Sequence, residues 1–353
     1  MAFPLSWGRI LTSRFEFHRG YEHRSVVSRY LWVALVSLVC TGCGELTTTL
    51  HVFYAEGGKG DRGLNDSTFV GALDAHEKAD AHLVQWSPRD KDEAGIFFTE
   101  VLADSAMAGD ELLVLVSDTY SSLVSQVQCQ FRTRKVLHLD GASSSCDKVR
   151  SVDYKTFAAS YLAGLVAAGA SRSGKVAAIG GVANDEVIEA IAGFSAGVEA
   201  GGVEVLRSYL PAFSDGFNNY DEGYRIATVL LQDKGVDVIY SVAGATSLGV
   251  LEAVKDVMTT TGEQCYFVGH EYDHAPFGKD VVLASVSKRV EIEIVRSMNL
   301  VNSGKFEPGH VEVGLDEGEV DVVVNGAFSA FVGNFRSAQA EAIEAENQYR
   351  EVQ

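Results

Sequence analysis

The sequence predicts an α/β protein built as two doubly wound, Rossmann-like lobes. Its strand-like segments are continuous apolar runs, such as Val236 to Val242 (VDVIYSV), which suit parallel strands covered on both faces. These runs alternate with helix-period segments in two successive blocks, roughly 46–154 and 156–269. Thirty-five Gly against five Pro supply tight strand–helix turns rather than Pro-rich linkers. The 353 residues are enough for about two domains, each with its own core. No set of eight equal βα units emerges, which excludes a single barrel.

The elements follow in order. Thr48 to Tyr54 (TTLHVFY) reads as a strand, followed by a Gly-rich turn and a helix from about Ser67 to Ala79. His82 to Trp86, Leu112 to Val116 and Lys135 to Asp140 are further strands, the last ending in an acid. Val149 to Asp153 is strand-like, and Thr156 to Arg172 is a helix with a face of small residues. Strands at Val176 to Gly180, Val203 to Tyr209, Val236 to Val242 and Tyr266 to Gly269 alternate with helices at about Asp185 to Gly201, Asp221 to Lys234 and Ser247 to Met258. The tail from Val281 adds strands and helices that can cross between lobes. The expected division is a signal over 1–43, a first lobe over 44–155 plus about 271–303, and a second over 156–270 plus about 304–353.

Charge narrows the function. Lys and Arg total 29 against 48 Asp and Glu, a net charge of −19. The first 42 residues hold five Arg and two Glu, leaving 24 positive and 46 negative charges beyond them, or −22. A surface that acidic repels phosphate backbones, so nucleic acid is excluded as a partner. With 46% hydrophobic and 22% charged residues the chain is an ordinary globular mixture.

The N-terminal region reads as an address. Arg9, Arg14, Arg19, Arg24 and Arg29 precede the uncharged run Tyr30 to Val39, and then comes Cys40-Thr-Gly-Cys43. A positive flank, a short apolar core and small residues before a cysteine match an export signal that ends at a lipidated Cys43. The run is about half the ~20 residues that a membrane-spanning helix needs. Cys129 and Cys146 fall at the same sheet edge, the one away from the ligand, where export permits a disulfide. Cys265 reads as a small buried hydrophobe.

Three catalytic motifs fail on context. His270-Glu271-Tyr272-Asp273-His274 fits H-E-x-x-H, which needs a helix to bring both histidines onto one zinc ion; here it follows a strand and meets Pro276. Gly193-Phe194-Ser195-Ala196-Gly197 fits the hydrolase elbow, which needs a preceding strand, yet it lies inside a helical pattern. Gly57-Gly-Lys-Gly60 lacks the spacing of a phosphate-binding loop. No metal site and no enzyme are expected.

In open α/β sheets, ligands sit beyond the carboxyl ends of the strands. The loops there hold Asp61, Asn65, Asp118, Asp140, Asn184, Gly244 and Glu271, with the aromatics Tyr120, Phe213, Phe217 and Tyr272. Carboxylates and amides suit hydroxyl recognition, and aromatic faces suit a flat ring. The plainer role for any one loop Asp or Asn is to cap a helix.

Asp61-Arg-Gly-Leu-Asn-Asp-Ser67 resembles the D-[KR]-S-F-N-[QE]-S signature of the basic membrane protein (BMP) family of substrate-binding lipoproteins. Tyr161 to Ala168 resembles its F-L-x-G-x-x-A-A helix, and Gly193 to Gly197 its G-F-x-A-G. Gly235 to Ile239 followed by Ala243-Gly-Ala245 resembles its G-x-D-V-I-F…A-G-G. Gly269 to His274 stands at its G-V-D-x-D-Q, and Ser285 to Arg289 at its T-S-x-x-K. The resemblance implies a type-1 periplasmic binding architecture, two lobes joined by three crossovers, serving an ABC importer with permease and ATPase partners. It implies a monomer held to the membrane by its lipid, with no catalytic cofactor.

Members of that family typically bind nucleosides, with the signature Phe on the purine and the G-V-D acid on the ribose. Here those positions are Leu64 and Glu271, and Ala55 stands where an aspartate follows the first strand. These departures resemble the riboflavin-binding branch of the family. The resemblance thus implies riboflavin as bound ligand, with purine nucleosides as the alternative.

Overall fold

The computed structural model describes residues 48–352 apart from 57, 105–109, 212–214 and 332–334. Cys43 and Phe213 therefore lie outside the described residues. The described strands form two six-stranded sheets.

In the first sheet the order is β11-β5-β4-β3-β1-β2. The strands are β1 (Thr48–Phe53), β2 (His82–Trp86), β3 (Asp110–Val116), β4 (Lys135–Leu139), β5 (Val149–Tyr154) and β11 (Gly309–Val313). All of its pairings are parallel. In the second sheet the order is β12-β10-β9-β8-β6-β7. Its strands are β6 (Lys175–Gly180), β7 (Glu204–Tyr209), β8 (Val238–Val242), β9 (Tyr266–Glu271), β10 (Val282–Lys288) and β12 (Val320–Val324). All but the antiparallel β10–β12 pair are parallel. The central strands bury nearly every side chain, as parallel strands under helices must.

Helices α1 (Leu64–Ala79), α2 (Lys91–Ala103) and α3 (Ser121–Gln126) belong to the first lobe. In the second lobe lie α4 (Phe157–Ala170), α5 (Asp185–Ala200), α6 (Tyr220–Gln232) and α7 (Thr246–Thr261). The sequence reading has no counterpart of α2, whose run KDEAGIFFTEVLA buries only Ala94, Phe98 and Val101 and is started by the Asp90 cap. It begins α1 three residues late; the Asp61 carboxylate accepts from the Asn65 and Asp66 N–H groups and so starts the helix at Leu64.

The chain passes between lobes three times: after β5, after β10 and between β11 and β12. This corrects the expected boundaries. Val282–Lys288 pairs with β9 in the second sheet, not the first, and Gly309–Val313 pairs with β5 in the first sheet, not the second. Helix α8 (Val290–Asn302) packs against α1, and the last helix, α9 (Phe335–Val352), packs against α4.

The G-x-S-x-G segment lies inside α5, where its glycines let α5 press against α4. A Cβ on Gly193 would stand 2.2 Å from the Phe157 carbonyl oxygen, and one on Gly197 would stand 2.0 Å from that of Tyr161. Ser195 is buried and accepts a hydrogen bond from Arg207 Nε at 2.7 Å. Ser195 therefore packs toward β7 through Arg207, while the glycines on either side of it pack against α4. Cys129 and Cys146 form a disulfide with a Cα–Cα distance of 5.4 Å, at the amino ends of β4 and β5. Cys265 is a buried free thiol.

Candidate functional site

Beyond the carboxyl ends of the strands, the two lobes face each other across a cavity of about 60 Å³. That is room for a handful of waters. Arg62 and Gly63 of the first lobe line it, with Glu186, Phe217, Gly244, Ser247, His270 and Glu271 among the residues from the second.

Glu271 is the last residue of β9 and holds a left-handed backbone (φ 67°), a conformation that costs a non-glycine residue free energy and clusters at functional sites. Its carboxylate accepts from the Leu64 backbone N–H at 3.1 Å, and its carbonyl accepts from Ser67 Oγ at 3.1 Å. One residue of the second lobe therefore holds the first turn of α1 in the first. Gly63 permits this approach, since a Cβ there would lie 2.6 Å from Glu271 Oε2. Arg62 adds a second cross-lobe contact, with its guanidinium 3.3 Å from the Phe277 ring centroid.

Behind that wall sits Lys288, the last residue of β10, fully buried. Its ammonium lies 2.7 Å from Asp140 of the first lobe and 3.5 Å from Glu271, and it also pairs with Glu186 in the first turn of α5. Three carboxylates share one fully buried cation. Burial pushes Asp140 up to about 8 and Glu271 up to about 7, against the pull of Lys288 and helped by Glu186. The same carboxylates hold Lys288 well above the ordinary ammonium value despite its burial. Protons in such a group belong to the cluster rather than to one residue.

Phe217 supplies a flat apolar face. Its ring lies against Gly181, where a Cβ would come within 2.6 Å of it, and Gly244 (φ 50°) packs beside its carbonyl. The ring stays 39% exposed at the cleft. Close backbone approach on one side and solvent on the other leave a surface that a second ring can cover.

Other expected site residues serve the scaffold. Tyr120 is fully buried in the first lobe's core, between Phe53 and Phe98, and its hydroxyl donates to the Tyr54 carbonyl at 2.8 Å. It is not a cleft wall, because the loop that carries it turns back into the sheet. Asn65 is buried and clamps the preceding loop, accepting from Ala55 N and donating to the Gly58 carbonyl. Asp61 accepts from the backbone N–H groups of Gly63, Asn65 and Asp66, so it caps α1. Asn184 caps α5 through Val187 N at 2.9 Å. Asp118 is exposed on a 3-10 turn, and Tyr272 stacks on Phe277 outside the cavity wall. Of the expected residues, the structure brings Phe217, Gly244 and Glu271 into the cavity wall, with Asp140 behind it.

Sequence reasoning passed over Lys288, Glu186, His270 and Arg62 as site residues. The T-S-x-x-K resemblance already contained Lys288, and a lysine closing a strand with no other charged residue was the available signal. The H-E-x-x-H stretch is the end of β9 and the loop after it, not a helix. His274 instead packs on Phe267 and Phe277.

The profile of a family described as ABC transporter substrate-binding protein PnrA-like (Bmp) matches residues 49–348. Basic membrane protein A of Borreliella afzelii is 27% identical over 276 residues, covering 75% of this chain and 79% of its own. An uncharacterised lipoprotein of Pyrococcus abyssi is 28% identical, covering 81% of this chain and 73% of its own. Among solved structures, a solute-binding protein of an ABC transporter system from Aeropyrum pernix K1 superimposes with a TM-score of 0.70 at 23% identity, covering 86% of each chain. A likeness at that identity concerns the fold alone, two α/β lobes of the type-1 periplasmic binding kind.

Proposed function

The chain belongs to the Bmp family of ABC transporter substrate-binding proteins, PnrA-like, and from that premise we propose that its interlobe cleft captures riboflavin. A substrate-binding protein of such a transporter works on the extracytoplasmic side, with a permease and an ATPase as partners, and makes or breaks no bond. The observation that carries the ligand class is a single cavity wall holding both the exposed Phe217 face and the Glu271 carboxylate. A flat ring covers the first, where stacking adds ~0.5–1.5 kcal/mol beyond buried area. The hydroxyls of a linear chain donate to the second and to the carboxylates around Lys288.

Leu64 supports the larger ring. It is buried in the hydrophobic core and offers no flat face to the cleft, which leaves stacking on the ligand ring to Phe217 from one side. Drug-sized ligands occupy pockets of roughly 300–1,000 Å³. A 60 Å³ cavity therefore admits a ring only after the lobes separate. The small closed volume favours a purine nucleoside as the second reading.

Attachment to the membrane through a diacylated Cys43 completes the proposal, each buried acyl CH₂ adding ~0.8 kcal/mol. Among the described residues no helix is long and apolar enough to cross a membrane.

The test is the colour and thermal response of the purified protein. Flavin absorbance released on denaturation, or a rise in Tm with riboflavin, supports the reading. Ligand at 100 Kd adds ~2.7 kcal/mol. A colourless protein that is stabilised only by purine nucleosides replaces riboflavin with that ligand, and no response to either removes the ligand class.

A further inference from the structure

We propose that His270 is a specificity-determining residue whose Nε2 binds a hydroxyl group of the ligand, shared with the Glu271 carboxylate. This rests on the reading above, that the cleft takes a ring bearing a hydroxylated chain.

His270 stands next to Glu271 near the end of β9, is 6% exposed and forms part of the cavity wall. Its Nδ1 lies 2.6 Å from the Tyr240 hydroxyl, which lies 2.9 Å from Ser160 Oγ. Tyr240 and Ser160 are fully buried, and the Tyr240 ring stacks on Phe194 with centroids 4.5 Å apart. A rigid buried chain thus fixes the imidazole at one nitrogen. The other nitrogen, Nε2, is buried with no hydrogen-bond partner among the described residues. Native proteins seldom leave such an atom unsatisfied, because its desolvation is then uncompensated.

Burial first, and then Lys288, push the imidazole well below its ordinary value, so the ring is neutral and carries one N–H. When Tyr240 donates to Nδ1, Nε2–H is a donor. When Nδ1–H donates to the Tyr240 oxygen, the Tyr240 hydroxyl donates instead to Ser160 Oγ and Nε2 accepts. A hydroxyl satisfies Nε2 in either tautomer, whereas a carbonyl or an ammonium satisfies only one.

One ring nitrogen of His270 and carboxylate oxygens of Glu186 and Glu271 lie within 4.8 Å of one another. A single oxygen bridges that span with two hydrogen bonds of about 2.8 Å. These residue types also suit a divalent cation. The Lys288 ammonium, already paired with both carboxylates, repels a second cation there and leaves the hydroxyl as the fitting partner.

The experiment measures affinity for riboflavin and for lumiflavin, which has the same ring system without the hydroxylated chain, and likewise for adenosine and adenine. The proteins are wild type, His270→Val, His270→Gln and Tyr240→Phe, each checked for a native unfolding transition. We expect His270→Val to weaken the hydroxylated ligand roughly 5- to 150-fold while sparing the chainless one. His270→Gln, whose amide reaches a similar position, should recover most of that loss. Tyr240→Phe keeps the core volume and should lose less than His270→Val, in the same direction. Equal loss for both members of a ligand pair, or no loss at all, overturns the role of His270 while leaving the cleft reading in place. Failure of wild type to bind any of the four compounds removes both.

Discussion

The Lys288 ammonium lies 2.7 Å from the Asp140 carboxylate, joining the last residue of β10 in one lobe to the loop after β4 in the other. The Lys288 side chain is fully buried and that of Asp140 nearly so, and Glu186 and Glu271 close around the same cation. A buried pair is weak evidence for stability in itself, but removing one partner leaves uncompensated charge in a dry place.

Lys288→Met should therefore destabilise the protein by about 3–5 kcal/mol. Urea unfolding at neutral pH checks this. A midpoint within error of wild type would mean that the carboxylates protonate or rehydrate without cost.

The same cluster sets a pH dependence. Asp140, pushed up to about 8, and Glu271, pushed up to about 7, bind protons more tightly in the folded protein than in the unfolded chain. The stability they contribute is complete below the ordinary carboxylate range and is lost as pH rises through 7 to 8. Buried His274, pushed down to about 4, acts oppositely, its contribution being lost only as pH falls below about 6.5. Between pH 6.5 and 8.5 the carboxylates dominate, so Tm should fall across that window in wild type. It should fall less in Asp140→Asn. A Tm that rises over the window contradicts the shifts.

Phe217→Ala should weaken ligand binding roughly 10- to 100-fold, from lost stacking plus lost apolar area. Because the ring is 39% exposed, Tm should change little. Calorimetric titration beside a thermal scan separates the two effects, and an unchanged affinity would take Phe217 out of the wall.

The Cys129–Cys146 bridge closes a loop of 17 residues at the edge away from the cavity. Replacing both with Ser should cost about 3 kcal/mol by the loop-entropy relation. Ligand affinity should stay as in wild type. A change in affinity would place that edge in communication with the cleft.

Much of the fold was legible because parallel strands announce themselves as apolar runs. His82–Trp86 and Lys135–Leu139 were recognisable almost to the residue. Which sheet β10 and β11 join was not, since that depends on long-range pairing after a crossover rather than on local pattern. The loops that form the site were legible from sheet topology, and Glu271 and Phe217 came with them. Tyr120 is the aromatic that the loop pattern misplaces, because no local spacing reveals that it turns into the core. Asp61, Asn65 and Asn184 show why loop Asp and Asn are ambiguous: Asp61 and Asn184 bond first-turn N–H groups of a helix, and Asn65 bonds the backbone of the loop before it. Lys288 stood within the T-S-x-x-K resemblance, but its role was not legible, because a buried lysine is intelligible only once three distant carboxylates surround it.

The most direct measurement is calorimetric titration of riboflavin into wild type and into Glu271→Ala, with circular dichroism to verify the fold. One-to-one binding by wild type, weakened roughly 5- to 150-fold in the variant at an unchanged fold, is the expected result. Equal affinity for both proteins, or no binding by wild type to riboflavin or to any purine nucleoside, would contradict a cleft that reads a hydroxylated ring ligand through Glu271.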